Sequence, residues 1–518
     1  MTALTARASR RYLALVSPRL LVPFALLLLL AAGGAAKAAR AQEPPPSPPK
    51  PQAADDLVAI AERALGAVWY GVYIQERKVG HYGVSLEKVE VAGRATYRSE
   101  SQSRIDLEVD GQRRAFASRI VLVWDAAAPH RLLSYESESR SGDDPAERIR
   151  GFAGPDGFRL AFDTAGHRDA ATVPQPRHDL AQALALPRLL GRRPAPGAES
   201  TYIGFDPSAS EARKREEEVK VKVLAVEPTV RNGVATRLYA VEEASSTQTV
   251  RGRYLEDGTC LEGQVGQIFT IRLEDEETAK DHDAAFDVDA LRVKLERPIG
   301  RSPERVRRLK VLVQGLPETV AAVSSPRQKV ERRGGGHLLT IVTEAEPDAG
   351  ERLAALTDEA RAALRATRAI QSDDPKILAL ARRIVGDERD PFERAKRLCG
   401  WVYRNLEKTL RANQPSALHV LDTRRGDCTE HTLLFVALAR AAGVPAREAS
   451  GLMYSGDDES AFAYHAWPEV WVGRWIAVDP TWNEPVADAT HIKLGDAASE
   501  RGFIEALGSI RIEVVEVE

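Results

Sequence analysis

Cys428, His465 and Asp479 are the residues of this chain whose types, order and settings could do chemistry together. Cys428 lies in Gly426-Asp427-Cys428-Thr429-Glu430-His431, just before an apolar run; His465 lies in Tyr464-His465-Ala466-Trp467; Asp479 lies in Val478-Asp479-Pro480-Thr481. A thiol nucleophile needs a base to take its proton, and the base needs a third group to hold its ring. A cysteine, a histidine and an aspartate supply those parts in chain order, and the chemistry they suggest is cysteine acyl transfer.

The elements that must position them are legible. Thr429 to Ala442 is almost wholly apolar after its first turn and stops at Gly443 with Pro445 beyond, so it predicts a buried helix. Asp427 as N-cap and Glu430 three residues later have the spacing of a capping box. Cys428 then falls in the first turn, where the positive end of the helix dipole and free N–H groups favour thiolate. Tyr464 to Val472 and Trp475 to Asp479 read as strands joined through Gly473-Arg474. A strict two-residue turn there pairs residues whose numbers sum to 947, which puts His465 opposite Trp482 and Asp479 on the other face. A shared face requires a slip of one residue, from a three-residue loop or a bulge, with Pro468 a candidate place for it. Asp479 then opposes Trp467 and becomes the diagonal neighbour of His465.

This stretch resembles the transglutaminase-like superfamily, a branch of the papain-like cysteine enzymes. The residues that carry the resemblance are Gly426-Asp427-Cys428-x-Glu430-His431, the helix end Ala442-Gly443-Val444-Pro445-Ala446-Arg447, His465-Ala466-Trp467-x-Glu469-Val470 and Asp479-Pro480-Thr481, within about 372–494. The resemblance implies Cys428 as nucleophile, His465 as general base and Asp479 as its orienter. It also implies attack on a glutamine carboxamide or peptide bond, a thioester, and delivery of the acyl group to an amine or to water. The Cys428 backbone N–H is the expected oxyanion donor, with Gln414 or a Trp as a second. Pro468 and Trp482-Asn483 depart from the family pattern without touching the triad, and could reshape the acceptor side.

These residues invite other readings. Cys428, His431 and His465 imitate three zinc ligands, but no fourth Cys or His has suitable spacing, and His431 with Glu430 reads as support for the cysteine helix. Asp457-Asp458-Glu459 fits no EF-hand loop and reads as solvated loop charge. Gly334-Gly335-Gly336 lacks the Lys-Ser/Thr of a phosphate loop. No cofactor or metal is expected. Of the three cysteines, Cys399 lies on an apolar helical face and Cys260 in a β-like run, both expected to pack in cores.

The 518 residues carry a formal charge of −3, with no basic field for nucleic acid. A basic flank, the apolar run around Leu20 to Leu30 and Ala39-Arg40-Ala41 predict an export signal over residues 1–41 and a periplasmic or secreted protein. The run of about a dozen apolar residues is short of the ~20 of a spanning anchor, which is the competing reading, so membrane association is expected only as a transient one through the signal. Removing 1–41, with six Lys or Arg and no acid, takes the charge from −3 to −9. Residues 42–54 read as a Pro-rich linker, 55–290 as a β-rich domain (a curved sheet or half-barrel), 291–347 as a small β unit, 348–371 as a helical connector and 372–518 as the catalytic domain. The fold class is therefore multidomain: an N-terminal antiparallel β-rich region followed by an α+β papain-like or transglutaminase-like domain. The expected substrate is a protein or peptide amide. The alternative is a non-catalytic binding or scaffold protein that keeps this fold. Oligomeric state is not legible in the sequence.

Overall fold

The computed structural model describes residues 56–109, 112–142, 145–164, 167–209, 215–231, 233–245, 248–266, 268–287, 292–316, 323–352, 355–409, 416–496 and 509–518. The expected signal and linker and Gln414 lie outside the described residues. The described residues through Asp287 form one compact unit, and those from 292 onward form another.

The first unit is built on one 15-stranded sheet. From Gly66–Ile74, successive antiparallel strands lead outward in one direction to His167–Val173; in the other, Phe269–Glu274 pairs with Gly66–Ile74 and the strands run back to Glu199–Phe205. Period-two alternation drives it: in Glu216–Arg231, Val219, Val221 and Val223 are buried while Lys220 and Lys222 face water. Each such valine contributes about 1.5–3 kcal/mol by burial. The low-periodicity stretch 174–197 contains two short helices, Leu180–Ala183 and Ala185–Gly191, which bury Leu180, Leu186 and Leu190. Glu243 is also buried, accepting hydrogen bonds from Tyr202 and Tyr254 at 2.9 and 3.0 Å. That polar cluster was not anticipated from the sequence, because its members are dispersed along three strands.

In the second unit, Pro375–Val385, Pro391–Asn405 and Ala417–Thr423 pack around the helix Cys428–Ala441. Residues 428–439 of that helix are all buried. Leu433, Leu434, Phe435, Val436 and Leu438 share one core with Ile377, Phe392, Leu398, Val470 and Ile476. A five-stranded sheet carries Ala446–Tyr454, Ala461–Trp471, Trp475–Ala477 and Ile492–Asp496, with Val293–Lys294 at its edge. Within the expected helical connector 348–371, short helices cover Ala349–Arg352 and Asp358–Ala362, and the Thr357 hydroxyl caps the second by accepting the Ala360 N–H at 3.1 Å. The expected boundary between 291–347 and 372–518 also shifts. Arg511–Val517, from the 372–518 stretch, pairs with Arg308–Gln314, completing a four-stranded sheet with Gln328–Arg333 and Gly336–Val342. Among the described residues no helix is long and apolar enough to cross a membrane.

The hairpin that carries His465 and Asp479 does slip by one residue. Glu469 pairs with Ala477, Val470 with Ile476 and Trp471 with Trp475, so the loop is Val472-Gly473-Arg474. Pro468 is not the source, because it pairs with Glu448 in unbroken register. The loop depends on Gly473, whose φ is +93° and whose added Cβ would stand 1.9 Å from the Glu351 carbonyl oxygen. Gly473→Ala is expected to lose about 1–3 kcal/mol from backbone strain alone. Thermal unfolding checks this, with an unchanged midpoint counting against the tight fit of the loop.

Candidate active site

The capping box forms as its spacing predicts. Asp427 Oδ1 accepts the Thr429 N–H at 2.8 Å, and Glu430 Oε2 accepts the Asp427 N–H at 2.7 Å. Between these two committed donors, the Cys428 N–H has no acceptor among the described residues. It is therefore available to an oxyanion. Burial, and then Glu430 beside it, push the Asp427 carboxyl well above its ordinary range.

The Cys428 thiol is 2% exposed and receives the backbone N–H of Ala466, the residue after His465. Burial pushes this thiol well above its ordinary value, with the Asp427, Glu430 and Asp479 carboxylates adding to the effect and the Ala466 N–H only offsetting it. The thiolate expected from the helix dipole is thus not the resting form. Desolvation outweighs the dipole here, and a base must take the proton.

His465 and Asp479 are both fully buried, with His465 Nε2 2.7 Å from Asp479 Oδ2. The carboxylate only accepts, so the ring proton is on Nε2 and the Nδ1 lone pair is open. Nδ1 is buried without a hydrogen-bond partner. Burial holds His465 below its ordinary value against the pull of Asp479, which keeps the imidazole neutral. Trp467 stacks on the His465 ring at 6.0 Å between centroids and fixes its plane. Asp479 is tied on every side: Oδ1 accepts the Thr481 N–H at 2.8 Å, and the Cys399 thiol donates to its carbonyl at 3.6 Å. Cys399 packs in the core, and its thiol also reaches the site.

Sequence reasoning missed His491. Its Nε2 lies 3.1 Å from the same Asp479 Oδ2, and its Nδ1 lies 3.3 Å from Asp488 Oδ1. No motif announces it, since the strand that follows it, Ile492–Asp496, is placed by pairing with Ala446–Tyr454 and not with its chain neighbours. A further buried ion set follows, in which Lys493 Nζ reaches both Glu469 oxygens at 2.7 Å and Arg447 reaches one at 2.7 Å.

His431 supports the helix, its Nδ1 donating to the Asp427 carbonyl at 2.7 Å. The zinc set of Cys428, His431 and His465 is not assembled among the described residues. The atoms of His465, Asp479 and His491 do converge within 4.8 Å, but hydrogen bonds within the trio already use them, and we assign it as an ion-pair network. Asp457 is not simply solvated: it accepts from Tyr454 Oη at 2.8 Å and the Gly300 N–H at 3.1 Å.

With this geometry in hand, comparison with known proteins matches residues 378–480 to the transglutaminase-like superfamily. The chain carries a transglutaminase-like domain. Its helix Cys428–Ala441 and strand Ala461–Trp471 both lie inside the matched segment, and Asp479 falls at its end. An uncharacterized protein of Haemophilus influenzae is 35% identical over 94 residues, which is 17% of this chain and 25% of the relative. The chain thus spans about a quarter of that relative's length. The periplasmic domain of TgpA from Pseudomonas aeruginosa, bound to ethylmercury, covers 57% of this chain and 94% of its own at 13% identity, TM-score 0.21. A beta-barrel-like protein from Brucella abortus covers 40% of this chain and 95% of its own at 11% identity, TM-score 0.29.

Proposed function

We propose that this protein is an exported cysteine enzyme that acts on protein or peptide amides through a thioester at Cys428. The observation that carries the proposal is the buried His465–Asp479 pair at 2.7 Å, which leaves an unpartnered Nδ1 on the residue next to the N–H that holds the thiol. In the acylation step, His465 Nδ1 takes the thiol proton as sulfur attacks the amide carbonyl. The C–S bond forms, and the carbonyl oxygen collects charge beside the Cys428 N–H. As the C–N bond breaks, His465 returns its proton to the departing ammonia or amine. An amine or water then attacks the thioester, loses its proton to His465, and the C–S bond breaks to restore the thiol.

The N-terminal basic flank, apolar run and Ala39-Arg40-Ala41 support export. The triad serves cross-linking, deamidation and proteolysis equally, because the acceptor is selected by access to the thioester. The test compares wild-type and Cys428→Ala chains, measuring amine incorporation, ammonia release and new peptide termini on protein substrates. Activity of one kind lost in the variant supports the proposal and names the reaction. Equal activity in both chains would refute it.

A further inference from the structure

We propose that His491 is a positioning residue for this triad, a second histidine that holds the same Asp479 oxygen as His465 and is itself clamped by Asp488. The inference rests on the triad reading above and deepens it. Its geometric basis is a count of protons. His491 Nε2 faces Asp479 Oδ2 and its Nδ1 faces Asp488 Oδ1, and both partners are carboxylates, so both ring nitrogens must donate. A neutral imidazole cannot do this, so the ring carries both protons and a positive charge.

The surroundings fit that state. Asp488 is held by the Thr490 N–H at 2.7 Å and the Thr490 hydroxyl at 2.6 Å, and its carbonyl accepts from Arg327 Nη2 at 2.6 Å. The groups facing His491 are Asp479 and Glu484 from the segment after Trp475–Ala477, Asp488 on its own turn and His465 with the Trp467 ring from the central strand; Arg327, from the small sheet's segment, stands behind Asp488. Burial pulls His491 down, but Asp479 and Asp488 outweigh it and push it up to about 10. Burial, then Asp488, pushes Glu484 up to about 8, so it is neutral at pH 7.

The fold makes room for this clamp. Gly451 pairs with His465, and a Cβ there would lie 1.9 Å from the Ile492 carbonyl oxygen, so only glycine lets the strand after His491 approach. Two consequences follow for the chemistry. Asp479 cannot rotate away from His465 while His491 holds the same oxygen. A cation 5.5 Å from the His465 ring, measured between centroids, also opposes protonation of that base, so His465 stays an acceptor to lower pH.

The experiment uses the full chain, ammonia release from a blocked glutamine peptide, and iodoacetamide alkylation of Cys428, both against pH. His491→Gln keeps one donor without the charge and is expected to shift the acid limb of kcat/KM to higher pH. His491→Ala removes the donor as well and is expected to lower kcat about 10–100-fold with KM unchanged, the scale seen when outer partners of a reactive group are removed. Should the alanine variant not fold, nitrogen NMR of the Cys428→Ala chain decides the matter: His491 protonated on both nitrogens at pH 8 supports the clamp. A neutral His491, or His491→Gln with the wild-type acid limb, overturns it. If Cys428→Ala remains active, the triad reading fails instead, which separates the two.

Discussion

His465→Ala is expected to lower kcat about 10⁵–10⁶-fold, because residues that act as one unit each cost nearly the whole of it when removed. The reasoning is local. The Cys428 thiol is raised by burial and by three carboxylates, so it rests protonated, and the lone pair of His465 Nδ1 is the base that the site provides. His431 is a poor base, since burial drives its pKa down to about 4, although its Nε2 is unpartnered. The variant should keep its fold, because Trp467, which stacks on the His465 ring, stays packed against Ala449, Ala477 and Ala487. Single-turnover kinetics with a circular-dichroism control checks this. A loss smaller than tenfold would mean that another group takes the proton.

Asp479→Ala is expected to be the most destructive change for fold and activity together. It strands two histidines that share one oxygen, and it leaves His491 a buried cation facing Asp488 alone. Breaking a buried pair from one side costs about 3–5 kcal/mol. Freed from its acceptor, His465 also loses the constraint that keeps its proton on Nε2, a change worth about 10⁴ in rate in serine triads. The sign of the pH dependence follows from the two shifts. Asp479 is held far below the carboxylate range, with burial opposing and the two histidines prevailing, so its contribution is present above about pH 4 and lost toward acid. His491 is pushed up to about 10, so its contribution is full below its unfolded value near 6.5 and is lost as pH rises through 10. The stability gap between wild type and Asp479→Ala should therefore be widest at about pH 5–6 and narrower at either extreme. Denaturation midpoints across pH measure it, and a gap that does not vary with pH would contradict the ion-pair assignment.

How much of this was legible follows from where each signal resides. Cys428 with its capping box is a local pattern, and local hydrogen bonds reproduce it. The His465–Asp479 contact was legible only as a condition, that the hairpin slip by one residue. The choice of a three-residue loop over a bulge at Pro468 depends on Gly473 meeting Glu351, 122 positions earlier, which no local pattern contains. His491 was missed because its place depends on nonadjacent strand pairing and on Gly451. Arg327 and Gln328 reach Asp488 and Lys493 across 161 and 165 positions, which is why the small sheet looked separate in the sequence and is not in the fold. Thiol protonation was misjudged for a different reason: the helix dipole can be read from a cap, whereas the desolvation that overrides it depends on how completely residues 428–439 are enclosed.

The most direct test of the central claim is to incubate the full chain with a blocked glutamine peptide, quench in acid within one turnover, and map the acyl mass by peptide mass spectrometry. The account predicts an acyl adduct on the peptide that contains Cys428, which disappears when an amine is added before the quench. Turnover without any adduct, or an adduct on Cys260 or Cys399, would contradict it.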